Sequence, residues 1–171
     1  VAENTGETRL EIPIEAPRGT AGFQPTIVLQ YSSQAGDGPF GIGWHVRFGE
    51  IRRTARFGVP SFGSSDAFEL DGELLVEDPA TPNRYHPLTE DFSRIERLPG
   101  SESWEVTFTN GFIARFGLSE ETRVRRDGAT GPVARWLLEE LKDVNGNVIR
   151  FSYDRSDSGT AYPVRIHYTY R

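Results

Sequence analysis

The sequence predicts an all-β protein in which antiparallel hairpins form a curved sheet or a sandwich-like arrangement, with little or no helix. Turn-forming residues recur along the whole chain, which contains 18 glycines and 11 prolines in 171 residues. Aromatic residues, which favour strands, make up 12% of the chain. Short runs of alternating apolar and polar residues lie between the turn signals, as is typical of half-buried strands.

Length and charge limit the class of protein. We expect one domain over residues 1–171, long enough to bury a core. The formal net charge of −6 argues against nucleic-acid binding, which needs a cationic surface. No apolar run approaches the roughly 20 residues of a membrane-spanning helix, so we expect no membrane insertion by this segment. Cysteine is absent, which excludes disulfides, thiolate metal sites and cysteine nucleophiles.

The start of the chain resembles neither a mature amino terminus with its methionine nor a secretory leader. It begins at Val1, and its first residues form neither a basic nor an apolar leader region. We therefore expect the chain to be a fragment of a longer polypeptide, or a processed one.

The first predicted strands lie before residue 55. Leu10, Ile12 and Ile14 alternate with other residues, among them Pro13. Proline has no backbone donor, so we expect an edge or irregular strand there. Residues 24–33 are apolar on both faces, which predicts a strand covered on both sides. Residues 44–54 form another candidate strand.

An Asn110-Gly111 pair marks a hairpin whose register can be predicted. The apolar rows on its two sides are Trp104, Val106 and Phe108, then Phe112, Ala114 and Phe116. A two-residue loop would place the rows on opposite faces, whereas a loop over 109–111 pairs Phe108 with Phe112 and joins them. Each large apolar side chain contributes roughly 1.5–3 kcal/mol when buried, so we predict the three-residue loop. It should be a type I turn with Gly111 in the left-handed region as a G1 bulge.

Other turn signals frame the rest of the chain. Asp71-Gly72 predicts a second hairpin. Residues 135–142 contain strong helix formers and favour a short helix by propensity, while residues 148–153 after them alternate as a strand. The last predicted strand presents one apolar face, formed by Val164, Ile166, Tyr168 and Tyr170.

Several motifs resemble one family. Residues 31–44, with the sequence YSSQAGDGPFGIGW, resemble the opening motif of the SpvB/TcB family, the N-terminal region shared by a Salmonella virulence-plasmid protein and the B components of bacterial toxin complexes. FELDG at 68–72 is similar to the family's hairpin. RWLL at 135–138, DVNGNVI at 143–149 and FSY at 151–153 resemble its block related to YD (Rhs-type) repeats. The matches extend from about Leu10 to Tyr168.

The resemblance implies a structure and a role. YD-type units are β-hairpins, so it implies strand over 135–142, against the local propensity. In toxin complexes, the B component and its partner form a hollow β-shell around a toxic C-terminal segment. The resemblance thus implies a non-catalytic structural module of a secreted bacterial toxin or virulence protein. Its expected partners are the remaining shell segments of the same or a partner toxin polypeptide, and a pore-forming toxin component.

The family also suggests a test for catalysis. Some relatives carry a separate ADP-ribosyltransferase with an E-x-E element at the C-terminus. This chain contains only adjacent pairs, Glu120-Glu121 and Glu139-Glu140. The resemblance therefore covers the shell-type region rather than the enzymatic one.

The glycine-rich segment 36–43 is interpreted as structural. A phosphate-binding loop places converging backbone donors at a helix N-terminus, usually with a lysine. This segment has no lysine and no predicted helix after it, and Pro39 removes one donor. We expect a tight turn in which glycines adopt backbone angles closed to other residues, with Phe40 and Trp44 packing it onto the core.

Other candidate sites lack the required spacing. Residues 143–147 alternate acidic and amide side chains as calcium loops do, but Val148 occupies the sixth position, where that loop needs glycine. The histidines are His45, His86 and His167, without metal-binding spacing. The segment 63–66 is a loop rather than a nucleophile elbow. We therefore predict no catalytic, cofactor-binding or metal-binding residues and no cofactor.

Two alternative functions stay open at the level of sequence. A carbohydrate- or cell-surface-binding β-module would need an exposed aromatic platform, for which the candidates are Trp44, Trp104, Trp136 and Tyr85. A glycoside hydrolase would need a pair of carboxylates in a cleft. The shell interpretation predicts instead that the last strand, with its face from Val164 to Tyr170, contacts another polypeptide or a later part of the same one.

Overall fold

The fold is known from a computed structural model that describes residues 6–38, 40–89, 91–126, 131–157 and 160–170. Backbone contacts divide the chain into two compact units, Val1–Phe48 and Gly49–Arg171. The described part is strand-rich, and its helical residues are confined to short 3-10 turns. The all-β prediction is confirmed. The expectation of one domain over 1–171 stays a prediction.

The first unit contains a small antiparallel sheet and a short ladder. Its strands are β1 (Arg9–Ile14), β2 (Ile27–Ser32), β3 (Asp37–Gly38), β4 (Gly41–Ile42) and β5 (Trp44–Val46), with a 3-10 turn at Thr20–Gly22. The sheet order is β1-β2-β5, which places Pro13 on an edge strand as predicted. All six residues of β2 are half-buried, so both of its faces are partly covered and neither is fully buried.

The second unit contains one large antiparallel sheet. Its strands are β6 (Glu50–Arg53), β7 (Phe68–Leu70), β8 (Glu73–Glu77), β9 (Arg84–Pro87), β10 (Arg94–Arg97), β11 (Trp104–Thr107), β12 (Ile113–Phe116), β13 (Arg123–Arg125), β14 (Val133–Lys142), β15 (Val148–Asp157) and β16 (Thr160–Tyr170). A 3-10 turn at Glu120–Thr122 precedes β13. Consecutive strands from β6 to β12 pair with one another.

The large sheet closes on itself through β14. The second half of β14 pairs with β12, where Ala114 lies opposite Leu141. Its first half pairs with β6, where Ile51 lies opposite Trp136. The meander from β6 to β12 is thereby joined end to end into a barrel-like ring, and β14 is ten residues long because it serves both partners.

The core fills the inside of this ring. Alternate residues of each strand point to the same face, and the residues of that face are almost fully buried. They include Ile51, Phe68, Leu75, Tyr85, Ile95, Trp104, Val106, Ala114, Phe116, Trp136 and Leu138. A ring of about eight strands has an interior just wide enough for such side chains to fill it.

Both predicted hairpins are confirmed. Phe108 and Phe112 pair across a loop over 109–111, with the N–H of Phe108 donating to the carbonyl of Phe112 at 2.9 Å, and Gly111 has φ +81°. The Asn110 side chain accepts from the N–H of Phe112 at 3.0 Å. At the second hairpin Leu70 pairs with Glu73, and both Asp71 and Gly72 have positive φ, as in a type I′ turn.

Two other strand predictions have different outcomes. Residues 135–142 lie within β14, so the strand implied by the family resemblance is confirmed and the local helix propensity is overridden. The single strand predicted over 44–54 is wrong. The chain breaks between β5 and β6, where Gly49 has φ +118°, and the two strands belong to different sheets.

The last two strands form a long hairpin that continues the sheet beyond β14. Only the start of β15 pairs with β14, through residues 148–150, while the remainder pairs with β16. Because β16 ends the sheet, its outer edge has no partner strand among the described residues. On this strand Val164 is 61% exposed, Ile166 and Tyr168 are half-buried, and the side chain of Tyr170 lies outside the described residues.

Candidate functional site

The glycine-rich segment of the first unit is held by close backbone contacts. The N–H of Gly43 donates to the carbonyl of Gly36 at 3.0 Å, and the carbonyl of Gly43 accepts from Ser32 at 2.9 Å. Gly43 has φ +81°, and a Cβ there would lie 2.6 Å from the Tyr31 ring. A Cβ on Gly38 would collide with the carbonyl of Trp44. The segment therefore needs glycine for its backbone path.

The aromatic residues of this segment behave differently from each other. Trp44 is half-buried and its ring lies 5.1 Å from that of Tyr31, which agrees with the predicted packing. Phe40 is 50% exposed, so the prediction that it packs onto the core is wrong. Pro39 lies outside the described residues.

The segment 143–147 is a tight turn organised by one carboxylate. Asp143 accepts from the backbone N–H groups of Asn145 and Asn147 at 2.9 and 2.8 Å, and from the Asn147 amide at 2.7 Å. Burial raises the pKa of Asp143, but these hydrogen bonds outweigh it and hold the pKa below its usual range. Its oxygens are used by the turn itself, as the structural interpretation predicts.

The other sequence candidates are dispersed. His45 lies on β5, His86 on β9 and His167 on β16. Across the described residues, no group of three or more histidine, aspartate or glutamate side chains is placed to hold a metal ion. The described ranges also contain no helix of the length and apolarity that membrane crossing requires.

The buried carboxylate of Glu69 is engaged by two cations. Glu69 is 1% exposed and contacts Arg52 at 2.9 Å and Arg56 at 2.7 Å. Burial raises its pKa, but the hydrogen bonds from Thr54 and Arg52 and the charges of Arg52 and Arg56 lower it below the usual range. A general acid of the glycoside-hydrolase type needs a raised pKa, which neither Glu69 nor Asp143 has.

A row of charged residues crosses the face opposite the core. Its residues lie opposite one another on adjacent strands and are Arg84, Glu96, Glu105, Arg115, Glu140 and Arg150. The carboxylate of Glu140 forms ion pairs with Arg115 and Arg150, each at 3.1 Å, and Arg115 also pairs with Glu105 at 2.9 Å. We call this set the charged row. Its ion pairs link neighbouring strands.

The candidate aromatic platform is instead part of the core. Tyr85, Trp104 and Trp136 are 8%, 0% and 1% exposed. With Phe68 they form one cluster inside the ring, in which the Trp104 centroid lies 4.9 to 5.7 Å from the other three rings. Trp44 belongs to the other unit. The carbohydrate-binding alternative therefore lacks its proposed platform among the described side chains.

Two arginines lie against this aromatic cluster, and sequence reasoning missed both. The guanidinium of Arg53 lies 5.2 Å from the Phe68 ring, and that of Arg97 lies 5.9 Å from it. Strand alternation offered the signal, because residues two apart on a strand point to the same face. Arg53 therefore shares a face with buried Ile51, and Arg97 shares a face with buried Ile95. We call this cluster of Phe68, Tyr85, Trp104 and Trp136, together with Arg53 and Arg97, the aromatic end of the ring.

Asp66, at the end of the loop that the sequence marks at 63–66, completes the aromatic end. Its carboxylate pairs with Arg53 at 2.8 Å and accepts from the N–H groups of Ser61 and Phe62. Burial raises the pKa of Asp66, but these hydrogen bonds hold it below the usual range. The loop is thus fixed by an ion pair rather than poised for nucleophilic chemistry.

Similar proteins were found by sequence and by structure. The family model of the Salmonella virulence plasmid 65kDa B protein, SpvB, matches residues 2–169. Mono(ADP-ribosyl)transferase SpvB of Salmonella choleraesuis is 34% identical over 172 aligned residues, covering 84% of this chain and 29% of the relative. The relative of Salmonella enteritidis gives the same values. The chain thus spans less than a third of these relatives.

Solved structures share the fold. The N-terminal domain of effector protein SpvB from Salmonella typhimurium is 29% identical, with a TM-score of 0.73 over 86% of this chain and 59% of that one. A TcdB2-TccC3-Cdc42 crystal structure is 27% identical, with a TM-score of 0.81 over 95% of this chain and 9% of that one. The structure of the Photorhabdus luminescens Tc holotoxin pore is 26% identical, with a TM-score of 0.82 over 95% of this chain and 9% of that one.

These matches agree with the motifs that carried the resemblance, and the family model extends over nearly the whole chain. The chain belongs to the SpvB family.

Proposed function

We propose that this chain is a non-catalytic structural module of a secreted bacterial toxin or virulence protein, forming part of a β-shell that encloses or delivers a toxic C-terminal segment. The structural match to the TcdB2-TccC3-Cdc42 structure carries the proposal. It extends over 95% of this chain but only 9% of that one, so the same fold occurs as a small part of a much larger toxin chain.

The architecture suits a wall element. Closure through β14 leaves the strands from β6 to β12 without open edges in the described part of the chain, so their backbone groups bond within the sheet. The charged row adds ion pairs between β11, β12, β14 and β15 on the face opposite the core. Such a panel resists local opening, which an enclosing shell requires.

The absence of catalysis is part of the proposal. The curated relatives are named mono(ADP-ribosyl)transferases, but this chain aligns with only 29% of their length. It lacks an E-x-E element, and its buried carboxylates pair with arginines or amides. We assign the transferase chemistry of the relatives to sequence outside the region that this chain matches.

The proposed partners are the remaining shell segments and, in the assembled toxin, a pore-forming component. The outer edge of β16 is the surface that supports this, because an unpaired edge can add another strand. Val164 on this strand is exposed. The proposed setting is extracellular, after export from a bacterium.

Limited proteolysis of the full-length parent protein tests the shell. Ile51 is fully buried on β6, so Ile51→Asp should open the ring, whereas Val59→Asp at a 90% exposed loop position is the matched control. We expect Ile51→Asp to speed cleavage of the C-terminal segment at least tenfold. Cleavage within residues 49–171 reports that the ring has opened. If the ring is cleaved while the C-terminal segment stays protected, the enclosing role is wrong.

A further inference from the structure

The two arginines at the aromatic end of the ring are paired differently. Arg53 is matched by Asp66, and the two side chains are 7% and 6% exposed. Arg97 lies over the Phe68 and Trp104 rings, at 5.9 and 6.0 Å from their centroids. No carboxylate pairs with Arg97 among the described residues.

A buried donor beside Arg97 is also unsatisfied. Trp104 is 0% exposed, and its indole Nε1–H has no hydrogen-bond acceptor within the part of the chain that the structure describes. Trp136 in the same cluster donates its Nε1–H to the carbonyl of Glu102 at 2.9 Å. Buried indole N–H groups normally find such a partner, because leaving one unpaired costs free energy. Of these two buried indoles, Trp136 has an acceptor and Trp104 has none among the described residues.

These observations point to one kind of ligand. A guanidinium and an indole N–H are both donors, so the ligand must supply acceptor oxygens and negative charge. Arg97 and Trp104 lie opposite each other on β10 and β11, and the guanidinium of Arg97 lies 6.0 Å from the centroid of the Trp104 ring. We propose that the aromatic end of the ring is a carboxylate-binding site in which Arg97 pairs with the carboxylate and the Trp104 N–H donates to it.

The surroundings favour a single negative charge. Burial raises the pKa of the Tyr85 hydroxyl and Glu77 raises it further, while Arg97 and Arg53 lower it, so all three charges act at this end of the ring. The carboxylate of Glu77 would repel a phosphate dianion more strongly than a carboxylate. The aromatic walls lower the local polarity and strengthen the pairing with Arg97.

The carboxylate has two possible sources, an acidic side chain of a polypeptide or a free carboxylic acid. Titrating the 171-residue chain with sodium acetate, and separately with a short glutamate-rich peptide, distinguishes them by NMR of the tryptophan indole N–H groups. Single Trp→Phe variants assign the indole signals. We expect the Trp104 signal to shift with saturation while the Trp136 signal stays in place. Saturation by acetate identifies a free acid, and saturation by the peptide alone identifies a polypeptide.

Variants at Arg97 complete the test. Arg97→Gln should weaken binding at least tenfold, and Arg97→Lys should retain part of it because the charge remains. Arg94→Gln, on the same strand but paired with Glu96 on the opposite face, should bind as the original chain does. An unchanged Trp136 signal shows that each variant keeps the fold. The proposal is overturned if neither probe shifts Trp104, if Arg97→Gln binds equally well, or if phosphate binds as tightly as acetate.

Discussion

Arg53 and Asp66 form an ion pair of 2.8 Å within the ring, and both side chains are almost fully enclosed. Arg53 also donates through Nε to the carbonyl of Val133 at 3.0 Å. The pair thus connects the loop that precedes β7 to the start of β14, the strand that closes the ring. The ion pair and this hydrogen bond together hold parts of the chain that are distant in sequence.

Removing Asp66 should destabilise the ring strongly. Asp66→Ala leaves the Arg53 guanidinium buried without its counter-ion, and we expect a loss of about 3 kcal/mol in the free energy of unfolding. Chemical denaturation followed by tryptophan fluorescence measures it. Glu121→Ala, which removes the same charge from an exposed position, should cost less than about 0.5 kcal/mol. The double variant Arg53→Met, Asp66→Ala should recover stability, and a further loss instead would contradict this account.

Acid should unfold the chain through its buried carboxylates. The pKa values of Asp66, Glu69 and Asp143 are all held below their usual ranges in the folded state. Such groups contribute their full stability above the unfolded-state pKa of about 4, and lose it as pH falls through the folded-state pKa. We expect the melting temperature to be steady above about pH 5 and to drop steeply below about pH 4. Asp66→Asn should flatten that acid limb, and an unchanged slope would show that Asp66 does not contribute.

Gly43 should tolerate substitution less than Gly22. Both have a positive φ, +81° and +78°, but a Cβ on Gly43 meets the Tyr31 ring and the Ser32 carbonyl, while one on Gly22 meets nothing within 4 Å. We expect Gly22→Ala to cost about 1 kcal/mol, the backbone term alone, and Gly43→Ala to cost about 3 kcal/mol. Hydrogen exchange of the Ser32 amide, which bonds to Gly43, measures the local effect. Equal costs would show that the contact with Tyr31 relaxes freely.

Glu140 should be the most sensitive member of the charged row. It is 7% exposed and receives both Arg115 and Arg150, whereas Glu105 is more open and receives Arg115. We expect Glu140→Gln to lower the free energy of unfolding by about 1–2 kcal/mol and Glu105→Gln by less than about 1 kcal/mol. A double-mutant cycle with Arg115→Gln isolates the pair. A coupling energy near zero would mean that this ion pair of the charged row does not contribute to stability.

Local chemistry made the hairpins predictable. The register at Phe108 and Phe112 followed from the requirement that two apolar rows share one face, and glycine at 111 supplied the left-handed residue. The strand over 135–142 did not follow from local propensity, because its partners on β6 and β12 decide its conformation. Only the family resemblance indicated it.

Ring closure and the aromatic end were not predictable by the same means. Alternation shows which face of a strand is buried, but not which distant strand lies beside it, so nothing local linked Ile51 to Trp136. The arginines at 53 and 97 look like exposed charges until the rings beneath them are known. The apolar residues of 44–54 concealed a break, because alternation carries no sign of the left-handed backbone at Gly49.

The double role of β14 also dictates the order in which the chain can mature on the ribosome. The strands from β6 to β12 can pair as they emerge, but their two ends stay open until residue 142 has been synthesised, because β14 is the piece that joins them. During that interval the nascent meander exposes the unpaired edges of β6 and β12, which can pair with other chains. In refolding of the complete chain, closure pairs strands that are far apart in sequence, so it should also be a late kinetic step, detectable as a slow rise in protection of the Ile51 amide.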